Sequence, residues 1–379
     1  MTIRCKAAVL RKIGAPRPWA QSRPLSIEEV DLAPPRSVEM LVKVGGAGLC
    51  HSDLSVINGD RPRPVPIALG HEGSGEVIEV GAAIDDVRPG DHVVFQFSAA
   101  CGRCRRCVEG RPQVCERARV AKSESGLMAG GSRITALNGE RVGHHSGLSC
   151  MSEYVIVDRG SVVVIDRSLP LSTAALFGCA VMTGVGAVVN TARIRAGDTV
   201  AIVGLGGVGL NGVLGARVAG AQRIIAIDKE PAKLARAMEV GATDTVDARD
   251  PKCVQQVLDL TGGGVDFAFE LGGAIDAMKI AYGCVQYGGT VVVAGLPPLG
   301  AKFDLDQCDL VGQEKTVRGS YMGSCAPVRD IPRFIRLYQE GRLPVDKLID
   351  GHVGFEQLNE GFDKLQDVQV VRQILMPGR

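Results

Sequence analysis

Thr199-Val-Ala-Ile-Val-Gly204-Leu-Gly206-Gly207-Val-Gly209 decides how the second half of the chain folds. A β-branched run stops at a G-x-G-x-x-G turn, and a small-residue helix is expected from Val208 to Ala219. The glycines permit a tight turn, close approach of a pyrophosphate and close packing of helix on strand. A helix N-terminus then offers free N–H groups and its positive dipole end to phosphates. Asp228 closes the next expected strand, Arg223–Ile227, 19 residues after Gly209. A carboxylate there accepts both ribose hydroxyls of NAD and repels the extra phosphate of NADP. Lys229, its neighbour, softens that discrimination.

Outward from this turn, strand and helix alternate. Helices are expected at Pro231–Glu239, Val254–Leu260 and Ala274–Cys284, and strands at Phe267–Glu270 and Thr290–Ala294. Such alternation predicts an α/β domain built on a doubly wound parallel sheet. The first ~165 residues differ. Val38–Val44, Gly75–Val80, Val93–Phe97, Tyr154–Val157 and Val162–Ile165 are short β-branched runs cut by Gly, Pro and Asp, which suit a β-rich, barrel-like domain. The last ~55 residues (helical at Val328–Leu337 and Phe355–Leu365, extended at Val370–Met376) fit neither half. No repeat of 20–50 residues and no low-complexity tract is visible.

The 379 residues carry 43 Lys or Arg and 42 Asp or Glu, a formal net charge of +1. About 150 residues per domain makes this about two domains. Near-neutral charge argues against nucleic-acid or membrane-surface partners, which need a clustered positive field. The N-terminus, MTIRCKAAVLRKIG, has no apolar run of signal-peptide length. Ser168–Ala192 carries no charge over 25 residues, but Pro170, Asn190 and its Ser and Thr residues mark it as buried interior of a soluble protein. The expected location is the cytoplasm. There, 12 cysteines point to metal ligation, reactive thiols or core packing rather than disulfides.

Cys101, Cys104, Cys107 and Cys115 follow C-x2-C-x2-C-x7-C. Four thiolates so spaced can close a tetrahedron around one zinc ion; an iron–sulfur cluster is the competing reading. Arg103, Arg105, Arg106 and Arg111 crowd this loop and offset its charge. A closed site of four cysteines stabilises a lobe and leaves no position for chemistry. Cys50, His71 and Cys179 are dispersed. Together they would make a three-ligand zinc site with one position open, yet spacing alone does not select them from 12 cysteines and six histidines. Cys179 in its apolar stretch also suits plain core packing.

The combination resembles the zinc-dependent medium-chain alcohol dehydrogenases, in the branch of liver alcohol dehydrogenase and glutathione-dependent formaldehyde dehydrogenase. Gly70-His71-Glu72-Gly73-Ser74-Gly75, the four-cysteine loop, the GLGGVG turn and Val371-Arg372-Gln373-Ile374-Leu375 occur in family order over essentially the whole chain. Gly126-Leu-Met128 with Gly131-Ser-Arg133 resembles the branch's loop insertion. The resemblance implies a GroES-like catalytic domain at 1–181, with a structural zinc lobe at 98–120. A Rossmann NAD-binding domain follows at 182–322, and 323–379 returns to the catalytic domain. It implies two zinc ions per subunit, a catalytic one on Cys50, His71 and Cys179 and a structural one on Cys101, Cys104, Cys107 and Cys115. Glu72 then lies beside the catalytic metal and Asp53 orients His71. Ser52 takes the alcohol proton, and His51 meets the cofactor pyrophosphate. Thr183 and Val208 flank the nicotinamide, with the Gly204, Gly206, Gly207 and Gly209 turn under the phosphates. Asp228 and Lys233 meet the ribose, Arg372 the pyrophosphate, and Phe97 and Met151 line the substrate pocket.

Two departures stand out. Relatives often carry His five residues after the first zinc Cys, as the outer end of a proton relay; here that residue is Ser55. The formaldehyde branch has acidic residues where this chain reads Asp60-Arg61-Pro62-Arg63-Pro64, although Arg119 matches its anion-binding arginine. The expected activity is NAD-dependent oxidation of a primary alcohol, benzylic and allylic alcohols included, and reduction of the matching aldehyde. The alternative is oxidation of the glutathione adduct of formaldehyde. The expected partners are the small-molecule substrate and a second copy of the chain, as a homodimer, with a tetramer as the other arrangement.

Overall fold

The computed structural model describes residues 2–378. They form two compact units: residues 2–179, 326–332 and 346–378 compose the first, and residues 180–325 and 333–345 the second. The tail expected as one return segment at 323–379 is thus divided, and 333–345 belongs with the nucleotide-type unit.

The first unit is β-rich. Strands Ile3–Leu10, Leu25–Leu32, Ile134–Ala136, Arg141–His144 and Ile67–Ala68 close a small barrel. A second sheet runs in the order Val162–Ile165, His92–Phe95, Gly73–Val80, Glu39–Gly48, Gln373–Leu375 and Gly351–Val353, with Tyr154–Asp158 also paired to Glu39–Gly48. Strand Gln373–Leu375 joins at Ala47 and Gly48, which returns the C-terminal tail to this unit. Its core gathers Leu10, Trp19, Met40, Val42, Phe95 and Phe362, all buried. Burying such apolar side chains contributes about 1.5–3 kcal/mol each.

The second unit carries a six-stranded, all-parallel sheet in the order Asp244–Asp247, Arg223–Asp228, Thr199–Val203, Val265–Glu270, Val285–Val293 and Thr316–Gly319. Val200, Ala201, Ile202 and Val203 are all buried, as a strand covered on both faces requires. The order reverses beside Thr199–Val203, the doubly wound arrangement that leaves a crevice beyond the carboxyl ends of the central strands. No single helix among the described residues is long and apolar enough to cross a membrane; the helical pair Leu171–Gly178 and Ala180–Ala192 passes by composition, and most of its residues are buried in the protein.

His144, at the end of a barrel strand, accepts the Arg133 N–H on Nε2 at 3.2 Å. Burial, with help from the Arg133 charge, pushes it down to about 3, against an ordinary value near 6.5. The unfolded chain binds this proton below pH ~6.5 and the folded one does not. The associated stability is therefore complete above pH ~6.5 and is lost as pH falls towards 3, about 2 kcal/mol of it between pH 7 and 5. His144→Gln keeps an acceptor for Arg133, so its loss of stability from pH 7 to 5 should be smaller by about that amount. Parallel slopes in denaturant unfolding of the two proteins would assign the acid sensitivity elsewhere.

Candidate active site

Strand Glu39–Gly48 runs into Cys50, which starts helix His51–Ile57 in an extended conformation. His71 and Glu72 immediately precede strand Gly73–Val80. Cys179 follows the short helical turn Ala175–Gly178. These three segments bring the donor atoms of Cys50, His71 and Cys179 within 4.8 Å of one another, all three buried. The His71 Nε2 to Cys179 Sγ distance is 3.5 Å. A sulfur at ~2.3 Å and a nitrogen at ~2.0–2.1 Å from one tetrahedral ion lie about 3.5 Å apart. Glu72 is fully buried with neither carboxylate oxygen hydrogen-bonded, and its nearest cation is Arg372, 3.6 Å away. Burial pushes Glu72 up to about 7. A buried carboxylate with no hydrogen bond, beside two thiols and an imidazole, is a donor set that fits a divalent cation. Gly48 makes room for it, because a Cβ there would fall on the Glu72 carboxylate.

The two thiols influence each other. Cys50 falls well below its ordinary range, through the hydrogen bond from Cys179 and the nearby Arg372 charge, while Cys179 rises. Asp53 Oδ2 lies 3.0 Å from His71 Nδ1. Burial alone would raise Asp53, but the imidazoles of His71 and His145 outweigh it and hold it at about 2. A carboxylate this close to Nδ1 favours the His71 tautomer with its lone pair on Nε2, towards Cys179.

Ser52 lies in the first turn of helix His51–Ile57, half-buried, two residues from Cys50; His51 is exposed. Ser55 is turned back on its own helix: Oγ donates to the His51 carbonyl at 2.7 Å and accepts from Arg61 at 3.1 Å. Phe97 stands edge-on to His71 with ring centroids 5.5 Å apart. Met151 is fully buried in the same apolar cluster against which Phe97 packs. Arg372, expected at the pyrophosphate, is buried in the first unit, where it donates to the Leu49 carbonyl at 2.9 Å and faces Glu72.

The second cysteine group is as compact. Cys101 and Cys107 sulfurs lie 4.0 Å apart, Cys104 and Cys115 3.9 Å apart, and all four fall within 4.8 Å of one another. Four sulfurs ~2.3 Å from one ion would be spaced about 3.8 Å, whereas a four-iron cluster binds each thiolate to a different iron. The donor set fits a single zinc ion. Arg105 and Arg106 are paired with Glu109, at 2.7 and 3.0 Å, which reduces what they offer the thiolates. Of the remaining cysteines, Cys150 donates to the Glu72 carbonyl, Cys5, Cys253, Cys284 and Cys325 are buried, and Cys308 is exposed.

In the second unit, Gly204 has φ +89° and a Cβ on it would meet Gly272. Gly209 passes so close to the Gly204 carbonyl that no side chain fits. Helix Gly207–Ala219 starts at Gly206 without a side-chain cap, and the space beside Gly206 is open, as close approach of a pyrophosphate requires. Asp228 accepts the N–H groups of Leu205 and Glu230, at 2.7 and 3.0 Å, with Lys233 at 3.7 Å. This ties the Asp228 carboxylate to the glycine turn. Gly184 lies against the Val208 carbonyl, which sets the helix of Thr183 beside the start of helix Gly207–Ala219. Sequence reading missed Glu270. It ends a central strand, is buried and accepts from Gly272 and Gly273 at 2.9 and 2.6 Å, so it shapes the loop beside Gly204. It also missed His145, 74 residues from His71 in the chain and 5.4 Å from it between ring centroids.

This pairing of a GroES-like domain and a Rossmann domain, with a Cys-His-Cys donor set in the first, defines a zinc-dependent dehydrogenase. Residues 36–167 match the model of the alcohol dehydrogenase GroES-like domain, and residues 207–340 that of the zinc-binding dehydrogenases. The chain belongs to the zinc-dependent medium-chain alcohol dehydrogenase family. An alcohol dehydrogenase zinc-binding domain protein from Burkholderia ambifaria is 34% identical over 100% of both chains, with a TM-score of 0.93. Benzyl alcohol dehydrogenase from Acinetobacter calcoaceticus is 29% identical over 99% of both, with a TM-score of 0.91. A zinc-binding dehydrogenase from Sinorhizobium meliloti, solved with NADP, is 28% identical over 99% of this chain and 100% of its own, with a TM-score of 0.78.

Proposed function

We propose that this oxidoreductase transfers hydride reversibly between NAD and a primary alcohol, with benzylic and allylic alcohols as its preferred class. The observation that carries the reading is the buried Cys50–His71–Cys179 donor set, which leaves one position of a tetrahedral ion open. Zinc bound there would supply Lewis acidity towards an alcohol oxygen. Cys101, Cys104, Cys107 and Cys115 would hold a second, structural zinc. Asp53 holds His71 in the tautomer that presents Nε2, Ser52 takes the hydroxyl proton, and His51 passes it outward or meets the cofactor phosphates. Phe97 beside His71 gives the site an apolar wall, which favours an apolar substrate. The benzyl alcohol activity named for the Acinetobacter relative supports the same class.

The test follows NADH absorbance at ~340 nm with zinc-loaded protein, NAD and alcohols from ethanol to octanol, then benzyl and cinnamyl alcohol. Turnover greatest on the aromatic alcohols is expected; silence across the panel with NADH bound would overturn the substrate class. One observation favours the glutathione adduct of formaldehyde instead: Lys122 lies 4.9 Å over the Phe97 ring, on the helix that also carries Arg119. Turnover of formaldehyde that requires glutathione would establish that reading.

NAD rather than NADP follows from Asp228, whose charge repels a 2′-phosphate. Asp228→Gly should shift kcat/KM towards NADP by roughly 10–100-fold, worth about 1.4–2.7 kcal/mol. An unmoved NADP/NAD ratio would remove Asp228 from the ribose contact. A homodimer is proposed from strand Thr316–Gly319, a sheet edge whose four residues are all exposed, preceded by a helix with exposed Val311. Light scattering at the mass of one chain would refute it. Cytoplasmic location is part of the same proposal.

A further inference from the structure

Asp53 serves two histidines. Oδ2 meets His71 Nδ1 at 3.0 Å, while Oδ1 meets His145 Nδ1 at 3.0 Å and accepts the Gly70 N–H at 3.1 Å. The carboxylate is fully buried and both imidazoles are at least nine-tenths buried. The rings stand edge to face, 5.4 Å apart at 73°. Asp53, His71 and His145 could be taken for a metal site of their own, since their donor atoms cluster. The distances argue otherwise: a carboxylate oxygen 3.0 Å from each Nδ1 favours the tautomer that carries its proton there, which leaves no Nδ1 lone pair for a metal. An ionised carboxylate only accepts, so both imidazoles must present Nδ1–H, and both lone pairs fall on Nε2.

Without His145, Oδ1 would keep the Gly70 N–H alone. The carboxylate torsion is intrinsically broad, so the plane that Oδ2 presents to His71 would be less well fixed. We infer that His145 is a positioning residue for the metal centre: standing 3.0 Å from one oxygen of Asp53, it fixes the carboxylate plane, and the other oxygen is thereby held against Nδ1 of His71. His71 is so kept with Nε2 aimed at the metal position. The inference rests on reading His71 as a ligand of the catalytic metal.

The test uses three variants of the full chain and reads zinc binding by chelator competition, with metal content counted per chain. In His145→Asn the amide nitrogen stands where Nδ1 stood and can still donate to Asp53; in His145→Gln it stands nearer Nε2, and His145→Phe donates nothing. Gln and Phe should weaken one of the two zinc ions by roughly 10–100-fold and leave the other unchanged, while Asn stays within about threefold of the parent. In cobalt-substituted protein the visible d–d bands should move for Gln and Phe and stay in place for Asn. Should Phe fail to fold, the Asn–Gln pair carries the comparison. Parent-like affinity in Gln, or equal weakening by Asn and Gln, overturns the inference. Cys50→Ala separates the two levels: if it holds as many zinc ions as the parent, the metal-centre reading fails and this inference with it. If it loses one while the His145 variants keep parental affinity at both sites, His145 alone is misassigned.

Discussion

Cys179→Ala should abolish alcohol turnover, with kcat/KM down at least about 10³-fold, while NADH still binds with its parental affinity. Metal Lewis acidity is worth several kcal/mol of transition-state stabilisation, and each 1.36 kcal/mol is tenfold in rate. Cys179 is buried 3.5 Å from His71 Nε2, inside the donor set. Removing its thiolate leaves Cys50, His71 and Glu72, which also faces Arg372, to hold the ion, a weaker set. On the proposed two-site reading, zinc content should fall by one ion per chain, because Cys101, Cys104, Cys107 and Cys115 form a separate group. NADH affinity should persist, because Gly204, Gly206, Gly209 and Asp228 all belong to the second unit. Loss of both activity and NADH binding would mean collapse of the fold. Undiminished turnover would remove Cys179 from the metal set.

How much of this was legible from residues alone varied with how local the signal was. The GLGGVG turn needs only neighbours in the chain, and strand Thr199–Val203 and helix Gly207–Ala219 lie within one residue of expectation. The four cysteines at 101–115 are equally local, and the distances between their sulfurs match a single ion. The Cys50, His71 and Cys179 set was not selectable from spacing, because its members are separated by 21 and 108 positions in the chain and only the fold brings them together; there the family resemblance supplied the selection. His145 carried no signal. It lies in a loop, and its role depends on sharing Asp53 across 92 residues of chain. Arg372 shows the converse. Its motif pointed to a phosphate, and the structure adds a second partner, Glu72, that only the pairing of strand Gln373–Leu375 with Gly48 could disclose. Strand Thr316–Gly319 was missed because its four residues are exposed and lack the apolar pattern of a covered strand.

The proton path is where the departure at Ser55 has a measurable consequence. Ser55 Oγ spends its proton on the His51 carbonyl and receives Arg61, so it is poorly placed to relay. Ser52, two residues from Cys50 in the first helical turn, keeps the hydroxyl closest in sequence to the metal ligands. Ser52→Ala should therefore lower kcat by about 10²–10⁴-fold, the usual worth of a positioned acid–base group. Zinc content and NADH affinity should be unchanged. Ser52→Thr, which restores a hydroxyl at the same Cβ, should recover most of the rate, a rescue that a merely structural role would not produce. Ser55→Ala removes a hydroxyl already committed on both sides and should change kcat by less than about threefold. If Ser55→Ala proves as damaging as Ser52→Ala, the path runs through Ser55 and its bond to Arg61 must break during turnover. If neither variant slows the reaction, the proton leaves directly to water and the serine relay is absent. With Ser52 required and Ser55 dispensable, His51 becomes the next station, since its position beside Ser52 at the exposed start of the helix is where a released proton reaches solvent.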